Sequence, residues 1–156
     1  PQPVEAVMPK ITPFLWYHGN VEEVVDFYRS VFPNSRIVNQ QRGPDGTVMG
    51  VTFELEGQPL IAFNGGPAHQ LTPAVSLFVS CETQAEVDRL WARLTDGGEE
   101  SNCGWLVDRF GLSWQIIPTA LPRLLSDPDP AKAGRAVNAM LQMRKIDIAT
   151  LEQAAR

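Results

Sequence analysis

"ITPFLWYHGNVEEVVDFYRSVF" at residues 11–32 and "AVSLFVSCETQAEVDRLWARL" at residues 74–94 share few letters but one physical pattern. Each reads as a short apolar strand followed by an amphipathic helix with a capping signature at its start. In the first copy Asn20 is placed to cap and Glu23 to reach back, with Val21, Val24, Val25, Tyr28, Val31 and Phe32 on one face. In the second, Thr83 and Glu86 form the same box, and Val87, Leu90, Trp91 and Leu94 repeat the stripe. The copies stay in register: Asn20 aligns with Thr83, Glu23 with Glu86, Val24 with Val87 and Tyr28 with Trp91.

Strands follow each helix. "SRIVNQQR" (35–42), the turn "GPDG" (43–46) and "TVMGVTFELE" (47–56) read as a hairpin, because Pro-Asp-Gly presets one φ and frees another. Met49, Val51, Phe53 and Leu55 alternate with Gly50, Thr52, Glu54 and Glu56, so one face is apolar. "EGQP" then turns the chain into "LIAFN". In the second copy "EESNC", "WLVDRF" and "SWQIIP" take the places of these three strands. A four-stranded sheet with one helix leaves its other face open, and pairing two halves covers it. The expected fold is therefore α+β: paired βαβββ modules forming a curved mixed-sheet cup with helices outside, plus a C-terminal helical appendage. The modules span residues 10–64 and 74–118, joined by the Gly- and Pro-rich linker 65–73.

The extension at 119–156 opens with a turn of helix and a Pro-broken loop in "LPRLLSDPDP". Asp129 and Pro130 then suit the N-cap and N1 positions of a helix to about Met143, and Asp147 caps a last one. This appendage is expected to be a strap over the domain or a dimer contact. Residues 1–9 are expected to be a leader outside the fold, disordered or added to the natural chain, with Met8 as its natural start.

A net charge of −5 opposes a phosphate backbone, so nucleic acid is not an expected partner. The basic residues Lys132, Arg135, Arg144 and Lys145 read as a solvated helix face. No apolar run approaches the ~20 residues needed to span a bilayer, and no secretion signal is visible, which points to a cytoplasmic protein without membrane contact. Cys81 and Cys103 then read as reduced thiols. A thiolate role for Cys81, just ahead of a helix, is weighed against a buried thiol, and the buried thiol is preferred.

Two stretches carry a family likeness: "VEEVVDFYRSVF" after the first strand and "DRFGLSWQI" before the end of the second module. On them the chain resembles, over residues 10–118, the vicinal oxygen chelate superfamily, which includes glyoxalase I, extradiol dioxygenases and bleomycin-resistance proteins. "CGWLVDRFGLSWQIIP" and "AMLQMRKIDIATLEQA" are similar to its PhnB-like, demethylubiquinone-methyltransferase-like branch. The resemblance implies a divalent-metal position in the cup, which falls near Pro13, Ile61, Ser76 and Gln115. Only Gln115, where metal-binding members carry a carboxylate, offers a reasonable ligand, whereas a transition-metal site wants three or more His, carboxylate or thiolate groups. No metal and no cofactor are therefore expected, and the alternative metal set is Gln115, Glu54 and His69.

If those positions face the cup, alternation also turns Leu15, Tyr17, Phe63, Phe78 and Ile117 inward, and Thr52 and Glu54 look into it from the third strand. The expected ligand-binding set is Tyr17, Thr52, Glu54, Phe63, Ser76, Phe78 and Gln115, a mostly apolar lining with a few polar groups. Glu54, desolvated there, is the one residue considered as a general base, against the plainer reading of an exposed strand carboxylate. His18 reads as a turn residue, and His69 as a loop residue able to lean over the cup mouth. Trp16, Trp91, Trp105 and Trp114 read as core aromatics, with Trp105 the best placed to reach the cup.

These features suggest a metal-independent binder of a small apolar or planar ligand, whether or not it is an enzyme. The alternative is a metal-dependent lyase, isomerase or dioxygenase on a vicinal-oxygen substrate. Methyl transfer is disfavoured because no glycine-rich strand-to-helix turn is present, and a purely structural role would require a filled cup. The resemblance also implies a homodimer, with Met140, Leu141 and Met143 as apolar contact surface.

Overall fold

The computed structural model describes residues 8–156, which divide between Leu71 and Thr72 into two compact units. The leader expected over residues 1–9 lies, for residues 1–7, outside the described residues. Each unit holds one four-stranded mixed sheet, and the fold is α+β.

The first unit contains β1 (Phe14–Tyr17), α1 (Val21–Val31), β2 (Ser35–Arg42), β3 (Val48–Leu55) and β4 (Gln58–Asn64), in the sheet order β1-β4-β3-β2. β1 and β4 are parallel, as a helical crossover between them allows, and the other pairs are antiparallel. The valine stripe of α1 is buried on Val51, Phe53 and Leu60, and the Tyr28 ring stacks on Phe53 at 6.4 Å.

The predicted Asn20 cap is not made. Asn20 sits in the left-handed region at φ 65 and its side chain caps nothing. The cap comes instead from the end of β4, where Asn64 Oδ1 accepts from the Val21 N–H at 3.1 Å while Asn64 Nδ2 donates to Val48 O at 2.9 Å. Asn20 adopts the left-handed conformation that Asn tolerates better than most residues, in the turn between β1 and α1.

The second unit repeats the plan with β5 (Ser76–Cys81), α2 (Gln84–Thr95), β6 (Glu99–Glu100), β7 (Trp105–Val107) and β8 (Ser113–Pro118), in the order β5-β8-β7-β6. Here the predicted cap forms: Thr83 Oγ1 accepts from the Glu86 N–H, and Glu86 Oε2 reaches back past the cap to accept from the Glu82 N–H, each at 3.2 Å. The turn in "DRFGLSW" is organised by buried Asp108. Its Oδ1 accepts from the Phe110 and Leu112 N–H groups at 2.8 and 3.0 Å, and its Oδ2 from Trp114 Nε1 at 2.9 Å.

Three helices follow: α3 (Ala120–Leu125), α4 (Pro130–Leu141) and α5 (Ile148–Ala154). Asp129 and Asp147 cap α4 and α5 through the Ala131 and Thr150 N–H groups. The helices strap the second unit: Ile117 of β8 packs with Leu121, Leu124, Ala136, Ile146, Leu151 and Ala155. The Cys103 and Gly104 N–H groups donate to Met143 O and Arg144 O at 2.9 and 2.8 Å. Gly104 is required there, at φ +84, because a Cβ would stand 2.7 Å from Ile117 Cδ1. Met140 and Met143, expected as a surface for a partner, pack on this cluster, whereas Leu141 is exposed. Ile117, expected to line the cup, belongs to the same cluster. No helix among the described residues is long and apolar enough to cross a membrane.

Candidate functional site

The first sheet has one face under α1 and one facing away, whereas in the second unit the face away from α2 is covered at Ile117 by the C-terminal helices. In the first unit register defines the second face: Phe14 pairs with Ile61, Trp16 with Phe63, Phe63 with Gly50, Ile61 with Thr52, and Thr52 with Asn39. An aromatic row runs across it. Phe14 and Trp16 each stand 5.2 Å, centroid to centroid, from Phe63, and Trp16 meets the His69 ring edge-on at 4.8 Å. Phe14 is 55% exposed.

The expectation for β1 is corrected by one residue. Leu15 and Tyr17 are buried on the helix side, where the Tyr17 hydroxyl lies 2.8 Å from that of Tyr28. Phe14 and Trp16 take the open face, so Tyr17 is removed from the ligand-facing set. All four residues of β1 are apolar or aromatic, and periodicity alone had no means of choosing between the two alternations. Pro13 gives way to Phe14 beside Ile61, and neither carries a donor atom for a metal.

The linker is part of this face. The Trp16 indole lies so close over Gly65 that a Cβ there would fall 2.0 Å from Cε2, and its Nε1 donates to Gly66 O at 2.9 Å. His18 Nε2 is 3.0 Å from His69 O. The stretch 64–69 is thereby held against β1, which fixes the His69 ring beside Trp16.

Thr52 and Glu54 lie on the face opposite α1, and Thr52 is buried. Glu54 is no poised base. Arg36, across from it on β2, donates through Nε and Nη2 to its two carboxylate oxygens at 2.8 and 3.0 Å. That hydrogen-bonded guanidinium holds the Glu54 carboxyl below its ordinary range, opposite to the shift expected from desolvation. Arg36 went unremarked in the sequence: register irregularities between Ile37 and Asn39 and between Gln41 and Arg42 separate it from the "GPDG" turn, so simple counting from the turn sets it opposite Phe53 instead of Glu54.

In the second unit Ser76 pairs with Ser113, Phe78 with Gln115, and Trp105 with Gln115 from the other side. Gln115 Nε2 donates to Ser76 Oγ at 3.0 Å, and Phe78 is 56% exposed. Trp105, on this face, is half-buried, while Trp91 and Trp114 are core residues. Burial pushes the Cys81 thiol up to about 12, which leaves it without thiolate character at neutral pH.

The donor chemistry does not suit a divalent ion. Among the described residues no group of three or more His, Cys, Asp or Glu side chains is gathered to hold one. Of the alternative set, Glu54 spends both oxygens on Arg36, the His69 ring rests against Trp16, and Gln115 is tied to Ser76.

The sequence profile described as 3-demethylubiquinone-9 3-methyltransferase matches residues 9–117. Among solved structures, the chain is 36% identical to the PhnB protein from Bacillus cereus, over 71% of this chain and 100% of that one, with a TM-score of 0.65. Protein PA1353 from Pseudomonas aeruginosa is 20% identical over 71% and 98% of the two chains, with a TM-score of 0.60. The fosfomycin resistance protein FosX from Listeria monocytogenes, solved with Mn(II) and sulfate, is 14% identical over 69% and 89%, with a TM-score of 0.52. The last two likenesses are of fold. No curated protein matches the chain.

Proposed function

The chain belongs to the PhnB-like 3-demethylubiquinone-9 3-methyltransferase family, in the vicinal oxygen chelate superfamily, and on that premise we propose that it binds a small apolar or planar molecule without a bound metal. The observation that carries the proposal is the aromatic row Phe14, Phe63, Trp16 and His69 on the helix-free face of the first sheet. Exposed aromatic faces in contact with one another lose stability to water, and a planar ligand stacked on them recovers it. Thr52 and Phe63 on that face remain proposed ligand-facing residues of the first unit, and Ser76, Phe78 and Gln115 are proposed, separately, as ligand-facing residues of the second.

The family's description names a methyltransferase, but the glycines of "NGGPA" favour another use. Gly65 accommodates the Trp16 ring and Gly66 O accepts from its Nε1, so this pair packs an indole instead of bringing backbone to a nucleotide cofactor. The proposal extends to a homodimer and to a cytoplasmic location, where two unpaired cysteines suit a reducing environment.

Two measurements test this reading. Protein purified without chelators should contain no stoichiometric transition metal, and its unfolding midpoint should rise with at least one member of a panel of planar metabolites; binding at 100 times Kd stabilises by about 2.7 kcal/mol. A tightly held metal ion contacting Gln115 would instead establish the metal-dependent alternative. Light scattering at micromolar concentration should return twice the chain mass.

A further inference from the structure

Ser113 is 1% exposed, and its hydroxyl has no hydrogen-bond partner among the described residues. Buried hydroxyls are ordinarily paired, so an orphan on a sheet face invites a partner from outside the chain. Register sets Ser113 beside Ser76, and Gln115 follows one pleat along the same face. Because Gln115 Nε2 donates to Ser76 Oγ, the Ser76 hydroxyl hydrogen and the second Gln115 amide hydrogen are still available to donate. Three donors thus occupy one short stretch, with the Phe78 and Trp105 rings on the strands to either side of Gln115.

The cluster is uncharged, and β5, β7 and β8 contain no Asp, Glu, Lys, Arg or His. A carboxylate or phosphate entering here would be desolvated without a cation from these strands, a large penalty. An all-carbon ring would leave the Ser113 hydroxyl as unpaired as before. A carbonyl oxygen has two lone pairs, brings no competing donor, and sits in the plane of a ring that the flanking aromatics can cover.

We infer that Ser113, Ser76 and Gln115 bind the uncharged carbonyl oxygen of an aromatic or conjugated ligand. The inference rests on the small-molecule-binding reading above and adds the polar group that the ligand presents. Ser113 is the new residue in it: alternation identifies its face, and only the missing partner marks it for recognition.

The test titrates the full chain, followed by amide resonances, with acetophenone, with α-methylstyrene as the same shape lacking the oxygen, and with benzoate as the charged counterpart. Acetophenone should bind about tenfold more tightly than α-methylstyrene, as one or two recovered hydrogen bonds provide, should exceed benzoate, and should shift the Gln115 side-chain amide signals. Ser113→Ala and Gln115→Met, each checked for a native unfolding transition, should reduce that preference at least threefold, roughly half of one hydrogen bond, without weakening α-methylstyrene. Equal affinity for the two neutral probes would overturn the carbonyl assignment and leave the small-molecule reading standing. A preference retained in both variants would overturn the roles of these residues, and tightest binding of benzoate would overturn the neutral ligand class. Failure of all three probes to bind would count against the inference and the reading beneath it.

Discussion

The Tyr17 hydroxyl lies 2.8 Å from the Tyr28 hydroxyl beneath α1, and this contact fixes which way β1 faces. With Tyr17 turned to the helix, Trp16 and Phe14 are turned to the open side. Tyr17→Phe should therefore cost about 0.5–1.5 kcal/mol in chemical denaturation and leave the affinity for aromatic probes unchanged. Trp16→Ala should weaken those probes. A Tyr17→Phe protein of native stability and altered affinity would reverse the assignment.

The helical stripes, the hairpin turn and the βαβββ repeat were legible because each rests on local periodicity or on turn chemistry. The capping box at Thr83 and the caps at Asp129 and Asp147 were legible for the same reason. What failed was long-range. Asn64 lies far along the chain from the helix it caps, and a strand of four apolar residues leaves its facing to tertiary contact. The resemblance set Gln115 on the face away from α2, but its tie to Ser76 and the orphaned Ser113 beside it depend on strand pairing that letters do not encode.

Asn64 and Asn20 should respond oppositely. Asn64→Ala removes both the Val21 cap and the bond to Val48 O, and a loss of roughly 1–2 kcal/mol is expected in urea unfolding. Asn20→Gly removes no side-chain cap and relieves a left-handed φ of 65, so it should be neutral or slightly stabilising. Were Asn20→Gly the more damaging change, the remote cap would be refuted.

The Arg36 pair predicts the titration of Glu54. Its folded-state acidity is strengthened, so the pair's contribution to stability is present above the ordinary carboxylate value of 4.5 and is lost as pH falls through the lower folded value. Carboxyl NMR should show Glu54 titrating below 4.5, and Arg36→Gln should move the midpoint upward. A midpoint above 4.5 in the unaltered protein would restore Glu54 as a general base.

Cys81 predicts the alkaline side. Burial raises its thiol from 9.0 to about 12, so the folded state holds the proton more tightly than the unfolded chain. The associated stability is complete below 9.0 and is lost as pH rises toward about 12. The difference in unfolding free energy between the unaltered protein and Cys81→Ala should shrink across that window. Native-state alkylation should label half-buried Cys103 ahead of buried Cys81.

Gly65 makes the sharpest demand on shape. A Cβ there would overlap the Trp16 indole at 2.0 to 2.4 Å, so Gly65→Ala must push the ring aside and break the Nε1 bond to Gly66 O. Overpacking of this kind typically costs about 1–3 kcal/mol. Because the displaced ring is the one that touches Phe63 and His69, the same substitution should alter the aromatic row as well as the stability. The indole resonance of Trp16 should shift and aromatic probes should bind less tightly, whereas Gly57→Ala, at φ +80 in a turn with open space around it, should destabilise through backbone strain alone and leave the probes unaffected. Equal effects on probe binding from the two substitutions would mean that the row formed by Trp16 is not where planar molecules are held.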